Sequence, residues 1–113
     1  MKPSILSAAA EADLLNAHAY YLEAAGDTVA DDFMQQTETA LLHLQSFPGT
    51  GSNRYAQMSP HAHLRFWTLK RFPYAVFYIE RDAVIDIVRV LHQASDIPFH
   101  LDATPAPGVE PNA

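Results

Sequence analysis

Apolar residues recur along this chain with two periods. Between residues 8 and 47 they return every three or four positions, the spacing of one face of a helix. Leu14 or Leu15, His18, Tyr21, Leu22 and Ala25 make a first stripe, and Ser7, ahead of an alanine run, is placed to cap its N-terminus. Val29, Phe33, Thr37, Ala40, Leu44 and Phe47 make a second, cleaner stripe that Met34 and Leu41 widen. Gly26 stands between the two, where a helix end wants a residue free to take positive φ. Asp27 or Thr28 can cap the second helix, with Asp31 three residues beyond Thr28 in the manner of a capping box. Pro48-Gly49 ends it. So short a connection at Gly26 predicts an antiparallel helical hairpin.

From Leu64 to Leu91 the composition changes to aromatic and β-branched residues, which suit a pleated, half-buried surface. Three strand segments separate, 64–70, 74–80 and 84–91, divided by Phe72-Pro73 and by the Arg81-Asp82 turn. Connections this short join neighbouring antiparallel strands, so the three form a meander. Ser4–Leu6 is either a fourth strand or the lead into the first helix. The predicted fold is α+β, an N-terminal helical hairpin packed on a three- to four-stranded antiparallel sheet. One domain occupies residues 1–98. Residues 99–113, with Pro105, Pro107 and Pro111, read as an extended or disordered tail.

Two stretches resist this simple pattern. The loop from Pro48 to His63 is longer than compact domains ordinarily tolerate without a functional or mobile role. In the last strand Ile85, Ile87, Arg89 and Leu91 share one side, while Asp86, Val88, Val90 and His92 share the other. Both sides are mostly apolar. The strand is therefore central, or its second face is closed by the tail or by another chain. Left uncovered, that face would be a binding surface.

Bulk composition narrows the class. The chain has 113 residues, enough for one core, and 49% of them are hydrophobic, which argues against a disordered protein. The absence of cysteine excludes disulfides and thiolate metal sites. No apolar run approaches the roughly 20 residues of a membrane helix, and the N-terminus lacks a signal-peptide core. A cytoplasmic protein without membrane contact is expected. The net charge of −6 is unevenly spread. Residues 8–47 carry seven carboxylates and no Lys or Arg, whereas Arg54, Arg65, Lys70, Arg71, Arg81 and Arg89 all lie in the second half. Such bipolarity either steers an acidic partner to the sheet or is simply a solvated surface.

Candidate chemistry is sparse. His61 and His63 form an H-x-H pair with no third ligand placed by sequence, so no metal site is expected. Pro48–Ser52 lacks the Gly-Lys-Ser/Thr ending of a phosphate loop and reads as a turn. No serine sits in a nucleophile elbow. Arg65, Arg71, Arg81, Arg89, Tyr78 and His92 are the parts from which a metal-free ribonuclease could be built, with His as acid or base and Arg stabilising a pentavalent phosphate. Arg89 and His92 have opposite parity on one strand, so parity alone does not bring them to one site.

The wording of the sheet carries a resemblance. Arg71-Phe72-Pro73-Tyr74 followed by Val76-Phe77-Tyr78, then Arg89-Val90-Leu91-His92 ending in Asp96-Ile97-Pro98, resembles the toxin superfamily named after RelE and ParE, in its ParE-like plasmid-stabilisation branch. The resemblance implies a toxin of a type II toxin–antitoxin system that inhibits DNA gyrase by binding it. Arg65, Arg71, Tyr74, Arg81, Arg89 and His92 would be contact residues, and a cognate antitoxin would cover apolar surface. No cofactor and no metal are implied. The mRNA-cleaving members carry basic residues on the middle strand and beyond the last. Here those places read Tyr74-Ala75-Val76 and Gln93-Ala94-Ser95, and the usual His-Gly-Ala-Arg-Asp ending stands as His92-Gln93-Ala94-Ser95-Asp96. Two other readings remain open. One is a ribosome-dependent endonuclease using Tyr78, Arg89 and His92. The other is a non-toxic binding module. The acidic helices argue against direct contact with nucleic acid without excluding it.

Overall fold

A computed structural model describes residues 1–56 and 63–103 of the chain. β1 (Ser4–Leu6) leads through Ser7 into α1 (Ala8–Ala25), which turns at the single residue Gly26 into α2 (Asp27–Ser46). A 3-10 turn at Pro48–Thr50 follows, then β2 (Arg65–Thr68), β3 (Tyr74–Glu80), β4 (Ile85–His92) and a short closing helix, α3 (Ile97–Ala103).

The caps follow from local chemistry, with one exception. Ser7 Oγ accepts the Ala10 N–H at 3.0 Å and donates to the Val88 carbonyl at 2.8 Å, so the cap also pins α1 to β4. Gly26, at φ 91°, donates its N–H to the Leu22 and Tyr21 carbonyls and accepts from the Ala30 N–H. Because Gly26 is at once the end of α1 and the N-cap of α2, neither Asp27 nor Thr28 caps, and the expected capping box does not form.

The sheet order is β1-β4-β3-β2. β2 and β4 flank β3 antiparallel, as the meander requires. β1 pairs with β4 in parallel, so the sheet is mixed rather than wholly antiparallel. The whole hairpin and two strands intervene between β1 and β4, long enough a crossover for a parallel pair.

Ala10, Leu14, Ala17, Ala30, Phe33, Thr37, Ala40 and Leu44 are buried on the inner faces of the hairpin. Most of these pack over Val76, Tyr78, Ile85, Ile87 and Val90. Thr37 is satisfied by donating to the Phe33 carbonyl at 3.0 Å. Leu14 is therefore the inward leucine of the first stripe. Leu15 is the outward alternative, while Leu22, Ala25 and Phe47 are exposed, contrary to the expected stripes.

The puzzle of β4 is resolved by a bulge. Phe77 faces Arg89 while Tyr78 faces Ile87, which leaves Val88 extra and reverses the alternation beyond it. Val90 thus joins Ile85 and Ile87 on the helical side, while Leu91 joins Val88 on the far side. That far face is not left open. Ala75, Phe77, Ile79, Val88 and Leu91 are covered by Leu64, Tyr55, Phe66 and, from α3, Ile97 and Leu101. β4 is central and its far face is closed in part by the segment that follows it, two of the alternatives left open above; the expectation of a far side kept free for a partner is corrected, as is that of an extended tail starting at residue 99. Pro98 sits in the first turn of α3, where its missing N–H costs nothing, and the helix buries Leu101. The prolines at 105, 107 and 111 lie outside the described residues.

Candidate functional site

The six residues expected to contact a partner fall into three separate places. At one end of the sheet, Tyr74 opens β3 opposite His92, which closes β4, with ring centroids 5.0 Å apart and edge-on. Tyr74 also packs against Phe33 at 5.2 Å and Tyr21 at 6.1 Å. Burial, reinforced by Tyr21, Tyr20 and Asp13, pushes the Tyr74 phenol above its ordinary value. His92 Nδ1 accepts the Ala94 N–H at 2.9 Å, which leaves Nε2 as the donor of the neutral ring. Arg71 stands close by in the β2–β3 turn at φ 68°, its exposed guanidinium reaching Asp32 of α2 at 3.2 Å. An exposed pair of this kind is worth at most about 1 kcal/mol and yields readily to a competing anion.

Arg65 and Arg81 lie at the other end. Arg65 Nη1 donates to the Gly51 carbonyl at 2.8 Å and borders a cleft of about 330 Å³ with Asn53, Ala56, His63 and Glu80. Arg81 pairs with Asp86 at 2.8 Å, while Lys2 Nζ donates to Glu80 and to the Arg81 carbonyl, both at 2.7 Å. These contacts tie the N-terminus to the β3–β4 turn.

Arg89 occupies a third environment. Its Nε and Nη2 donate to the two carboxylate oxygens of Asp13 at 2.7 and 2.8 Å, and Nη1 reaches the His100 carbonyl at 3.5 Å. Asp13 Oδ2 also accepts the Val90 N–H at 2.9 Å. β1 ends beside Ile87, so the carboxylate of α1 satisfies the edge of β4 where no strand continues. The bonds to Asp13 raise the guanidinium pKa further, against the opposing effect of burial.

Tyr78 is fully buried. Its hydroxyl donates to the Pro48 carbonyl and accepts the Gly51 N–H at 3.0 Å. A side chain at position 51 would meet that oxygen at 2.3 Å, so glycine is required there by proximity. Tyr78, Arg89 and His92 therefore do not converge: one hydroxyl is held by the 3-10 turn, one guanidinium by α1, and the imidazole stands beside Tyr74.

Burial raises the pKa of Tyr78, outweighing the Gly51 bond and Arg65, and also raises those of Tyr74 and Tyr21. The folded state keeps phenolic protons that the unfolded chain releases near pH 10. Stability on this account is complete below that pH and declines as pH rises through the folded-state values. The urea midpoint is expected to fall between about pH 9 and about pH 11, with a smaller fall in Tyr78→Phe. An unchanged slope in that variant would deny Tyr78 its share.

Two features escaped sequence reasoning. Asp13 was one of seven carboxylates in the helices, with nothing local to single it out. His43 stacks on Trp67 at 4.3 Å and 21°, with Phe47 at 5.4 Å. Thr50 Oγ1 spends its proton on the Phe47 carbonyl, so His43 Nε2 donates to it at 2.9 Å. No spacing links residue 43 to 67. Of the H-x-H pair, His61 lies outside the described residues, while His63 is exposed at φ 66°. Among the described residues no three His, Asp or Glu side chains gather as a metal site, and no helix is long and apolar enough to cross a membrane.

A helical hairpin over one face of a four-stranded mixed sheet, with a short helix over the other, places the chain among small α+β domains of the hairpin-on-sheet kind. Residues 5–97 match the family described as ParE toxin of type II toxin–antitoxin system, parDE. Among solved structures, a chain of the chromosomal ParDE TA system from P. aeruginosa is similar, with a TM-score of 0.68 and 24% identity. The match covers 81% of this chain and 96% of that one. No curated protein matches. The chain belongs to the ParE toxin family and is a type II toxin of the ParE type.

Proposed function

We propose that this toxin acts in the cytoplasm by binding DNA gyrase and blocking supercoiling, and that a cognate antitoxin holds it inactive. The observation that carries the reading is the dispersal of the nuclease parts. Tyr78 has no exposed surface and its hydroxyl is engaged twice within the fold. Arg89 is committed to Asp13. An acid, a base and a phosphate-stabilising cation within reach of one scissile bond are what RNA cleavage without a metal demands. Binding demands less: an exposed cation beside half-buried aromatic rings, which Arg71, Tyr74 and His92 supply at one end.

The test is supercoiling by purified gyrase. Wild-type toxin at micromolar concentration is expected to inhibit. Arg71→Glu combined with Tyr74→Ala should raise the required concentration about tenfold or more, roughly 1.4 kcal/mol of binding. Undisturbed supercoiling, together with ribosome-dependent mRNA cleavage that disappears in His92→Ala, would replace this reading with the endonuclease one.

A further inference from the structure

We propose that the outer face of α1 is a docking seat for an amphipathic helix of another protein, one whose apolar seam is flanked by Lys or Arg. α1 is apolar on two opposite sides. Ala10, Leu14, Ala17 and Tyr21 face the core. On the opposite side Ala8, Ala12, Leu15, Ala19 and Leu22 are all exposed, Leu15 at 64% and Leu22 at 43%. The outer spacings of four, three, four and three are those of a heptad seam, with alanine and leucine alternating from Ala12 onward. It runs about 21 Å along the helix. The alanines permit a partner helix to approach at the close end of the usual 8–10 Å range.

α2 is different: its outer row is Asp31, Gln35, Glu38 and Leu42, three polar residues and a single exposed leucine. An apolar stripe on a helix is ordinarily packed against another surface. α1 has its interior on one side only, so the second side is to be completed from outside.

Charge selects the occupant. Glu11 and Glu23 border the seam on either side, and no Lys or Arg occurs between residues 3 and 53. Among the described residues Glu11, Glu23, Asp27, Asp31 and Glu38 form no ion pair, whereas Asp13 and Asp32 do. A second copy of this chain would set acidic flanks against acidic flanks. A helix with cationic flanks pairs them instead.

The probe is a designed helical peptide of about three heptads with a Leu/Ala seam and Lys at the flanking positions. A control peptide carries Glu at those positions. Both are titrated against the full chain by fluorescence anisotropy. The Lys peptide is expected to saturate at micromolar concentration, to weaken with added salt, and to bind at least about tenfold more tightly than the control. Leu15→Glu with Leu22→Glu should abolish that binding and leave the urea midpoint unchanged, since both leucines are exposed. Equal binding of the two peptides, no binding of either, or binding indifferent to the double substitution would overturn the proposal. So would self-association of the wild type that the same substitutions abolish, which would make a second copy the occupant. The readout is direct, so the outcome is independent of whether gyrase is the target.

Discussion

Replacing Asp13 by alanine is expected to lower the unfolding free energy by about 3–5 kcal/mol, the cost of leaving one member of a largely buried ion pair alone. The two side chains are 15% and 14% exposed, so water screens the pair weakly. The alanine variant strips two bonds from Arg89 and one from the Val90 N–H at the open edge of β4. Urea unfolding followed by the fluorescence of Trp67, the single tryptophan, measures the loss. Asp13→Asn with Arg89→Met should recover most of it, because the amide still accepts from Val90 and no charge remains buried. That double variant also separates stability from function. If it folds and still inhibits gyrase, Arg89 leaves the set of contact residues and is a structural brace between α1, β4 and α3. A loss below about 1 kcal/mol in Asp13→Ala would place the pair in the class of weak surface bridges instead.

Leu101→Ala should cost about 2–5 kcal/mol, the range for emptying a buried leucine site. Leu101 is fully buried against the far face of the sheet, where among the described residues Phe77, Val88 and Leu91 have only α3 as a helical cover. Opening that cover presents a flat apolar surface to solvent, so the variant should also bind hydrophobic dyes and aggregate on mild heating. Phe99→Ala, two residues away and 64% exposed, is the control and should stay within about 0.5 kcal/mol of wild type. Equal effects at 99 and 101 would mean that α3 does not close the sheet.

Asp13 and Leu101 both act through contacts between residues far apart in the chain. The strands at 65–68, 74–80 and 85–92 and the helical hairpin were legible because period and residue type agree within each segment. Ser7, Gly26 and Pro48 mark the boundaries by local chemistry alone. The side of each β4 residue was not legible, because parity presumes an unbroken ladder, and Val88 is the extra residue of a bulge set by the pairing with Phe77 and Tyr78. The closing helix was hidden by three prolines further along a segment whose two buried residues, Ile97 and Leu101, gain meaning only against the sheet.

The candidate contact set fared in the same way. Arginine reads identically in a sequence whether exposed, as at 71, or braced by a carboxylate 76 residues away, as at 89. What the sequence alone determined is the order and type of the elements, since hydrophobic period and capping chemistry act over a few neighbouring residues. The tertiary structure decided the parallel pairing of β1, the closure of the far face and the partners of each charge. Those depend on which distant residues share a surface, and no local pattern encodes that.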